Sequence, residues 1–376
     1  MAEDGKNLDS TAAQALIQGD IGEEILVDGK RTLDEIMRWR RNAPILYDIF
    51  LEFGIRSTAM TVQWLGDEAE EECCRLAFGT QADESTAQVV VAELTCVADT
   101  ELASDPWKSW SAEGLRDSCG FGAQPLPRHE APLRLLVSMD HDSDVNRLVS
   151  CPSKPQLLAA KGSNGAVTLF DYKKASEGDG SSSKVGSFQY SAEAVDGFAV
   201  AWNPLKPSWI ATGGNDGSLS LWDSEALQQP AKPLLATVAH EGPLNDLSFC
   251  KHGPQLTTVG EDCCIAVWDM REALSKSAML TASGECLTID WNPSDQHLLA
   301  TGGKDKMVNI WDLRSFKLPV KTLPGHQGEV LQVQWCPAAG AKFAEISAGS
   351  FLATCSQDAG CCYGVFFLSL GLGFRL

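Results

Sequence analysis

Aspartate recurs at matching turns in the second half of this 376-residue chain. Asp216, Asp262 and Asp305 each follow a glycine by two residues in a short turn, and Asp358 occupies a similar place later on. A carboxylate can act as a general acid or base, bind a metal ion, or hold a turn by accepting hydrogen bonds. Because these aspartates recur with a sequence repeat, we interpret them as structural turn residues rather than catalytic groups.

Other residues that carry chemistry form no recognisable constellation. The six histidines are scattered, and the thirteen cysteines include three adjacent pairs without C-x-x-C spacing or a zinc-type Cys/His cluster. Buried, reduced thiols in a reducing compartment are the simplest interpretation. The sequence also has no G-x-S-x-G, P-loop or metal-binding helix motif. We therefore predict that the protein is not an enzyme and uses neither a metal nor a cofactor.

The charge of the chain restricts the class of partner. The formal net charge is −20 and the pI is about 4.7. Affinity for nucleic acid depends on cationic side chains, so we expect no direct binding to nucleic acid and favour a basic protein partner. The N-terminus lacks the features of a signal peptide, and no apolar run approaches the roughly 18 residues that span a bilayer. We expect no membrane association.

Two motifs repeat at one period and predict the fold. Alternating strands that end in Trp-Asp place Trp222, Trp268 and Trp311 in register. A second strand series precedes them, with aromatic residues at Trp202, Phe249, Trp291 and Trp335. Period-2 alternation bounded by Gly, Asn and Asp indicates short antiparallel strands. About four such strands per 40–45 residues are typical of WD-repeat blades, so we predict an all-β, WD-repeat β-propeller preceded by an N-terminal α-helix.

Each such blade can be tied by hydrogen bonds among a Trp, a strand Thr, a loop His and the turn Asp. Here the histidine is present at His240 and His326, and we also assign His141. Blades that begin near Phe198 and Cys286 lack it, so we expect them to be less well tied. The strand threonines are Thr212, Thr258, Thr301 and Thr354.

The repeats divide the chain. We predict a disordered N-terminus (1–22), an N-terminal helix with a following apolar segment (23–57), propeller blades (58–358) and an aberrant apolar tail (359–376). Five blades and part of a sixth are recognisable. Residues 96–130 are interpreted as a surface excursion between strands, and residues 173–184 as a flexible loop by composition.

The tail breaks the repeat. After Asp358 the chain reads "CCYGVFFLSLGLGFRL", without the expected Trp-Asp. One interpretation is an altered or truncated C-terminus that happens to be apolar. The other is a replacement strand that packs on the last blade.

The segment "RWRRNAPILYDIF" before the first strand carries a specific resemblance. Trp39 to Asp48 matches, in register, the W-K-K-N-T-P-F-L-Y-D pattern of the retinoblastoma-binding histone chaperone family, and a strand ending in Q-W-L follows in both. This family is the small WD-repeat subunit of chromatin assembly factor, which also occurs in histone deacetylase and Polycomb complexes. The resemblance extends from about residue 23 to 358, although the C-terminal part is truncated or divergent.

The resemblance implies a seven-bladed, non-enzymatic, nuclear scaffold with two histone sites. The residues that match a groove for a core-histone helix are Ile36, Trp39, Ile45, Leu46 and Tyr47. The residues that match a site for basic peptide tails on the top face are Asp144, Asn146, Arg147, Asp196, Phe198 and Glu329. Carboxylates suit the second site because they accept bidentate hydrogen bonds from Arg and bonds from Lys. Implied partners are core histones, basic peptide tails and other chromatin-complex subunits.

Several positions depart from the family pattern. Arg56-Ser57-Thr58 replaces an E-W-P motif, Asn245 stands where an acid is usual, and Leu287 stands where a polar residue is usual. The acidic histone-clamping loop and the seventh blade have no counterpart in this sequence. These departures weaken the expectation of binding at both sites.

Alternatives stay open at this point. Arg271 and Arg314 lie in W-D-x-R boxes, which resemble those of propellers that serve as substrate receptors of cullin ubiquitin ligases, although such an Arg also pairs with neighbouring acids. The N-terminal helix can simply pack on the propeller. Arg38, Arg40 and Arg41 fit either a nuclear-import patch or a solvated helix end. A non-functional fragment is a further alternative.

Overall fold

The structure is a computed structural model that describes ten segments of the chain. The described residues are 58–66, 73–82, 86–95, 133–177, 183–189, 195–226, 232–271, 274–335, 351–356 and 364–369. The predictions for 1–22, 23–57 and Asp358 fall outside these segments, as do the five groove residues, Ile36, Trp39, Ile45, Leu46 and Tyr47.

The first two sheets are antiparallel meanders of four strands each. Sheet 1 contains β1 (Ala59–Leu65), β2 (Cys73–Thr80), β3 (Gln88–Thr95) and β4 (Leu133–Asp140). Sheet 2 contains β5 (Val145–Cys151), β6 (Lys154–Gly162), β7 (Val167–Asp171) and β8 (Lys184–Phe188).

The next three sheets repeat this pattern. Sheet 3 contains β9 (Val200–Trp202), β10 (Trp209–Gly213), β11 (Ser218–Asp223) and β12 (Leu235–Val238). Sheet 4 contains β13 (Leu244–Phe249), β14 (Gln255–Gly260), β15 (Cys264–Asp269) and β16 (Ser275–Thr281). Sheet 5 contains β17 (Cys286–Trp291), β18 (Leu298–Gly303), β19 (Val308–Asp312) and β20 (Lys321–Leu323).

The last described sheet has three strands. Sheet 6 contains β21 (Val330–Trp335), β22 (Phe351–Ser356) and β23 (Gly364–Ser369). The tail strand β23 pairs antiparallel with β22, with Phe351 opposite Ser369 and Ser356 opposite Gly364. Of the two interpretations of the tail, this pairing agrees with a replacement strand. The prediction of a WD-repeat β-propeller with about five to six recognisable blades is confirmed.

One local prediction is wrong. The flexible loop predicted over residues 173–184 begins instead with a helix, α1 (Tyr172–Glu177), and its last residue opens β8. Asp171 explains the helix, because its Oδ1 atom accepts the N–H groups of Lys173 and Lys174 at 3.2 and 3.4 Å, as an N-cap does. Tyr172 and Ala175 then pack into the cluster between sheets 1 and 2.

The core of the described residues consists of five apolar clusters, one between each pair of successive sheets. The alternation of a strand explains this arrangement, because successive side chains point to opposite faces. On β15, Ala266 and Trp268 pack toward sheet 3, while Ile265 and Val267 pack toward sheet 5. The middle strands are therefore buried at most of their positions.

The innermost strands of neighbouring sheets contact one another in chain order, from β1 through β5, β9, β13 and β17 to β21. Between the described strands β1 and β21 there is no comparable contact. The face of β1 directed away from sheet 2 carries Met60, Val62 and Trp64, each more than half exposed. These side chains lie outside the five interior clusters of the described residues.

Hydrogen bonds tie the predicted blade residues together, and sheet 4 has the complete set. The Trp268 indole donates to Thr258 Oγ1 at 2.9 Å, which lies 2.8 Å from His240 Nε2, and His240 Nδ1 lies 2.9 Å from Asp262 Oδ1. Each of these three hydrogen bonds has one donor and one acceptor if the His240 ring is neutral. Burial lowers the pKa of His240, although Asp262 acts in the opposite direction, and this agrees with a neutral ring.

The other sheets contain parts of this set. Trp222 donates to Thr212 at 2.9 Å in sheet 3, and Trp311 donates to Thr301 at 2.8 Å in sheet 5. In sheet 6, His326 Nε2 lies 2.9 Å from Thr354 Oγ1. In sheets 3 and 5, Asp216 Oδ1 and Asp305 Oδ1 each accept a backbone N–H two residues later at 3.0 Å, as a turn residue does.

Sheet 2 keeps the loop histidine but not its partners. His141 is buried, but Ala160, Asn164 and Phe170 stand in place of the Thr, Asp and Trp. The ring bonds Ser143 O through Nδ1 at 2.6 Å, and no described residue bonds its buried Nε2 atom. Its assignment as a loop histidine is correct in position, but it makes none of the bonds that tie sheet 4.

Candidate functional site

Residues just before or at the start of the inner strands come together at one end of the sheets. We call this region the inner-strand end; it comprises Asp144, Asn146, Arg147, Asp196, Gly197, Phe198, Asn245, Asp246, Glu285, Leu287 and Glu329. The inner strands contact one another in chain order, which places their first residues side by side. All six residues assigned to the top face belong to this set.

Asn146 and Asp196 form the closest pair. The Asn146 amide donates to Asp196 Oδ1 at 2.6 Å and to Gly197 O at 3.3 Å, which joins β5 of sheet 2 to the loop before β9. The same Oδ1 atom accepts the Gly197 N–H at 2.7 Å. No described residue bonds Asp196 Oδ2, so one carboxylate oxygen is fixed by the protein and the other is available to a donor.

Arg147 reaches across to a sheet that is not its neighbour. Its Nη2 atom lies 3.2 Å from Asp246 Oδ1, which links sheet 2 to sheet 4. Asp246 is almost fully buried and also accepts bonds from Thr288 Oγ1 at 2.9 Å and from the Ile289 N–H at 3.1 Å. The guanidinium is therefore neutralised by a carboxylate that two sheets hold in place.

The remaining assigned positions are Asp144, Phe198 and Glu329. Asp144 accepts the Ala82 N–H at 2.6 Å, so it connects sheet 2 to the loop after β2. The Phe198 ring is 42% exposed. Glu329 is half-buried and contributes, after the hydrogen bond that Lys304 donates to Glu285, to raising the pKa of Lys304.

Two departures from the family pattern take structural roles here. Asn245 donates to Cys286 O at 2.9 Å, which ties the starts of β13 and β17 together. Leu287 is half-buried at the start of β17. Neither side chain offers a carboxylate, so the negative charge of the assigned top-face residues comes from Asp144, Asp196 and Glu329.

The sequence reasoning missed Asp246 and Lys161. Asp246 directly follows Asn245, and its role depends on Arg147, which lies 99 residues away in the chain. Lys161 stands where the Thr-Gly-Gly segments of other repeats have glycine, as at Gly213, and that substitution was the available signal. Both residues act across sheet boundaries, which a repeat alignment does not display.

The arginines of the two W-D-x-R boxes are bound by their own aspartates. Arg271 Nε lies 2.9 Å from Asp269 Oδ2, and Arg314 forms two parallel contacts to Asp312, at 3.0 Å from Nε and 2.6 Å from Nη2. The hydrogen bond from each Arg is the main cause that lowers the pKa of its Asp. The Arg271 and Arg314 side chains are nevertheless 74% and 49% exposed.

The described segments show neither a metal cluster nor a membrane-spanning helix. Within these segments no group of three or more His, Cys, Asp or Glu side chains is arranged to hold a metal ion. Among the helices that the structure describes, none has the length and apolar character needed to cross a membrane.

Comparison with known families agrees with this geometry. Residues 186–223, 232–269 and 276–312 match the WD domain, G-beta repeat. Each match ends with the Trp-Asp strand of one sheet and includes strand residues from the outer edge of the sheet before it, so the sequence repeat links neighbouring sheets. The fold and these matches define a WD-repeat β-propeller protein.

A second family model matches the N-terminal part of the chain. Residues 34–98 match the family model of histone-binding proteins that covers RBBP4 and its counterpart in the CAF1 complex. This span includes the segment before β1 and the first three strands of sheet 1. Together the two family matches support a WD-repeat histone-binding, RBBP4-like protein, and the resemblance read from the sequence is confirmed.

Proposed function

We propose that this chain is a non-enzymatic histone-binding scaffold of the nucleus, a subunit of chromatin assembly, deacetylase or Polycomb-type complexes. The observation that carries the proposal is the match of residues 34–98 to a family described as histone-binding. The net charge of −20 supports it, because core histones are strongly basic and an acidic surface attracts them.

A basic peptide tail is the proposed ligand of the inner-strand end. Asp196 supports this assignment, since Asn146 and the Gly197 N–H bond one oxygen and leave Oδ2 to a cationic donor. The exposed Phe198 ring beside it offers a face for an aliphatic stem or a cation. Asp144 and Glu329 add negative charge at the same end, while Asp246 neutralises Arg147, the one arginine among the assigned residues.

A core-histone helix is the proposed ligand of the N-terminal segment. The assignment of Ile36, Trp39, Ile45, Leu46 and Tyr47 to a groove depends on the family motif within residues 34–98. Leucine, isoleucine and tyrosine suit this task because an amphipathic helix binds by placing its apolar face in a groove.

Size-exclusion chromatography with core histones tests the proposal. The recombinant chain, mixed with core histones at micromolar concentration and moderate salt, should elute together with them. Separate elution of a folded chain would overturn the histone-binding assignment. Leu46→Asp should weaken binding of the histone helix, and Glu329→Lys should weaken binding of a basic tail. Equal loss of both ligands in each variant would contradict two separate sites.

A role as substrate receptor of a cullin ubiquitin ligase is the second candidate, because Arg271 and Arg314 remain exposed. The pairing of each Arg with its own Asp supports a structural role for the boxes instead. A pull-down with the ligase adaptor separates the two. Capture that is lost in Arg314→Ala would favour the receptor role, whereas no capture would favour the scaffold alone.

A further inference from the structure

Sheet 3 lacks the histidine of the complete blade, and a lysine from the neighbouring sheet enters this region. Trp222 and Thr212 keep their hydrogen bond, but the loop before β9 supplies no His to Thr212. Lys161, on β6 of sheet 2, is only 2% exposed and lines a cavity of about 20 Å³ together with Thr212 and Trp222. Its ammonium group therefore lies inside the protein between sheets 2 and 3.

The partners of Lys161 belong to sheet 3. Its Nζ atom donates to Gly213 O, and it lies 3.4 Å from Ala199 O. Ala199 ends the loop 195–199, which carries Asp196 and Phe198. One buried cation thus joins the end of this loop to the end of β10.

Gly197 shows how closely the loop is fitted around the ammonium group. A Cβ atom at this position would lie 3.1 Å from Lys161 Nζ and 2.9 Å from Gly213 O. Contacts this short require the neighbouring atoms to move, and one of them is backbone. A side chain at position 197 would therefore displace the loop or the lysine.

The charge of Lys161 acts on Asp196. Burial lowers the pKa of Lys161 to about 8, while the Asp196 and Asp216 carboxylates act to raise it. The lysine therefore remains protonated at pH 7. A buried ammonium group is costly unless it is hydrogen-bonded and paired, and here carbonyl oxygens and Asp196 supply those interactions.

We propose that Lys161 is a positioning residue for Asp196: it donates to the Ala199 carbonyl at the end of the loop 195–199, while Asn146 donates to the Asp196 carboxylate. The consequence for a ligand rests on the proposed function, in which Asp196 accepts a bond from a cationic side chain. Two residues of sheet 2 then set the geometry of an acceptor that belongs to sheet 3. A loop that is already ordered loses less conformational entropy when a ligand binds.

Hydrogen exchange of the loop is the primary test, because it needs no ligand. In Lys161→Met, exchange over residues 195–199 should be at least tenfold faster than in the wild-type chain, or about 1.4 kcal/mol in local opening free energy. Residues 258–268 of sheet 4 should be unchanged. Lys154→Met is the matched control, because Lys154 lies on the same strand but is exposed and pairs with Glu225. Equal exchange of the loop in wild type and Lys161→Met would overturn the proposal.

If Lys161→Met fails to fold, the pKa of Lys161 can be measured in chains that keep this lysine. The pKa of Lys161, followed by NMR of ¹³C-labelled lysine, should be lower in Asp196→Asn than in the wild type because an attractive charge is removed. Asp223→Asn, at the opposite end of sheet 3, should leave it unchanged. No difference between Asp196→Asn and wild type would show that the two charges are not coupled, which contradicts the proposal.

Peptide binding separates this proposal from the proposed function. A basic core-histone tail peptide should bind the wild type, and Lys161→Met should weaken binding at least threefold while Lys154→Met does not. If the wild type binds no peptide, the peptide site is wrong, and the loop exchange still decides the role of Lys161. If Asp196→Asn weakens binding but Lys161→Met changes neither affinity nor exchange, the role of Lys161 is wrong.

Discussion

Sheet 4 and sheet 2 each have a buried histidine before their inner strand, but only in sheet 4 is that histidine part of a continuous hydrogen-bonded chain. His240 connects Thr258 to Asp262, and Trp268 completes the set. His141 has Phe170 at a centroid distance of 6.1 Å and no described partner at Nε2. Both sheets nevertheless contain four paired strands.

This difference separates two contributions to a blade. Apolar contact between sheets is present in both, since Phe170 is as fully buried as the tryptophans that it replaces. The turn is also present in both, because Asn164 Oδ1 accepts the Ala166 N–H at 3.0 Å as Asp262 accepts the Cys264 N–H at 3.0 Å. The hydrogen bonds that join Trp268, Thr258, His240 and Asp262 are therefore not required to form a four-stranded sheet. We expect them to add stability and rigidity to sheet 4.

The largest expected loss of stability comes from removing the Thr258 hydroxyl, which joins Trp268 to His240 in sheet 4. Thr258→Val leaves the Trp268 indole N–H and His240 Nε2 buried without their shared partner. Each unsatisfied group costs about 1–3 kcal/mol, so the free energy of unfolding should fall by about 3 kcal/mol. Urea unfolding measures this change. Thr168→Val is the matched control on β7 of sheet 2, where no described residue bonds the hydroxyl, and a loss equal to that of Thr258→Val would contradict the account.

The two histidines give a direct comparison of the two sheets. His240→Ala and His141→Ala remove the same buried volume, but only the first takes one hydrogen-bond partner from both Thr258 and Asp262. His240→Ala should therefore reduce the free energy of unfolding by about 2 kcal/mol more than His141→Ala does. The same urea experiment measures both variants. A larger loss in His141→Ala would mean that the ring of sheet 2 has partners that its contacts do not reveal.

A hydrogen-bond partner for His141 in sheet 2 should reduce the difference in stability between sheet 2 and sheet 4. Ala160 pairs with Thr168 on the neighbouring strand just as Thr258 pairs with Ala266, so a threonine at 160 would sit as Thr258 does. Ala160→Thr should stabilise the chain by about 1 kcal/mol through a new hydrogen bond to His141 Nε2. The melting temperature and the urea midpoint measure it. A clear destabilisation would show that the site has no room for the added atoms.

Lowering the pH should reduce the stability contributed by the buried histidines of sheet 2 and sheet 4. This effect should be smaller than those of the substitutions above. Burial lowers the pKa of His240 and of His141, so near pH 6.5 these two rings bind more protons in the unfolded chain than in the folded chain. The stabilisation is complete above pH 6.5 and is lost as pH falls through the folded pKa. His240→Ala should therefore show a shallower loss of stability between pH 7 and pH 5 than the wild type, by about 1 kcal/mol. If the free energy of unfolding of His240→Ala and of the wild type fell equally between pH 7 and pH 5, the result would contradict a neutral His240 ring.

The sequence revealed residues whose partners lie in the same repeat, and it missed residues whose partners lie in other sheets. Trp268, Thr258 and Asp262 lie within one repeat, so their period identified the blade and their roles before the structure did. Lys161 and Asp246 act on carbonyls and side chains of other sheets, and no local pattern encodes that contact. The helix α1 was missed because the Gly- and Ser-rich composition that follows it outweighed the capping Asp171. Asp144, Asn146, Arg147, Asp196, Phe198 and Glu329 came from a family resemblance, and their binding role stays a prediction.

Calorimetric titration with a basic core-histone tail peptide at about 0.15 M salt tests the central claim most directly, since screening at this ionic strength limits weak surface attraction. The account predicts micromolar binding, at least tenfold weaker binding in Asp196→Asn, and unchanged binding in Asp223→Asn. Asp223 is the matched control because its carboxylate holds the Glu225 N–H at the other end of sheet 3. A folded wild-type chain that does not bind the peptide, or binding that is equal in Asp196→Asn, would contradict the account.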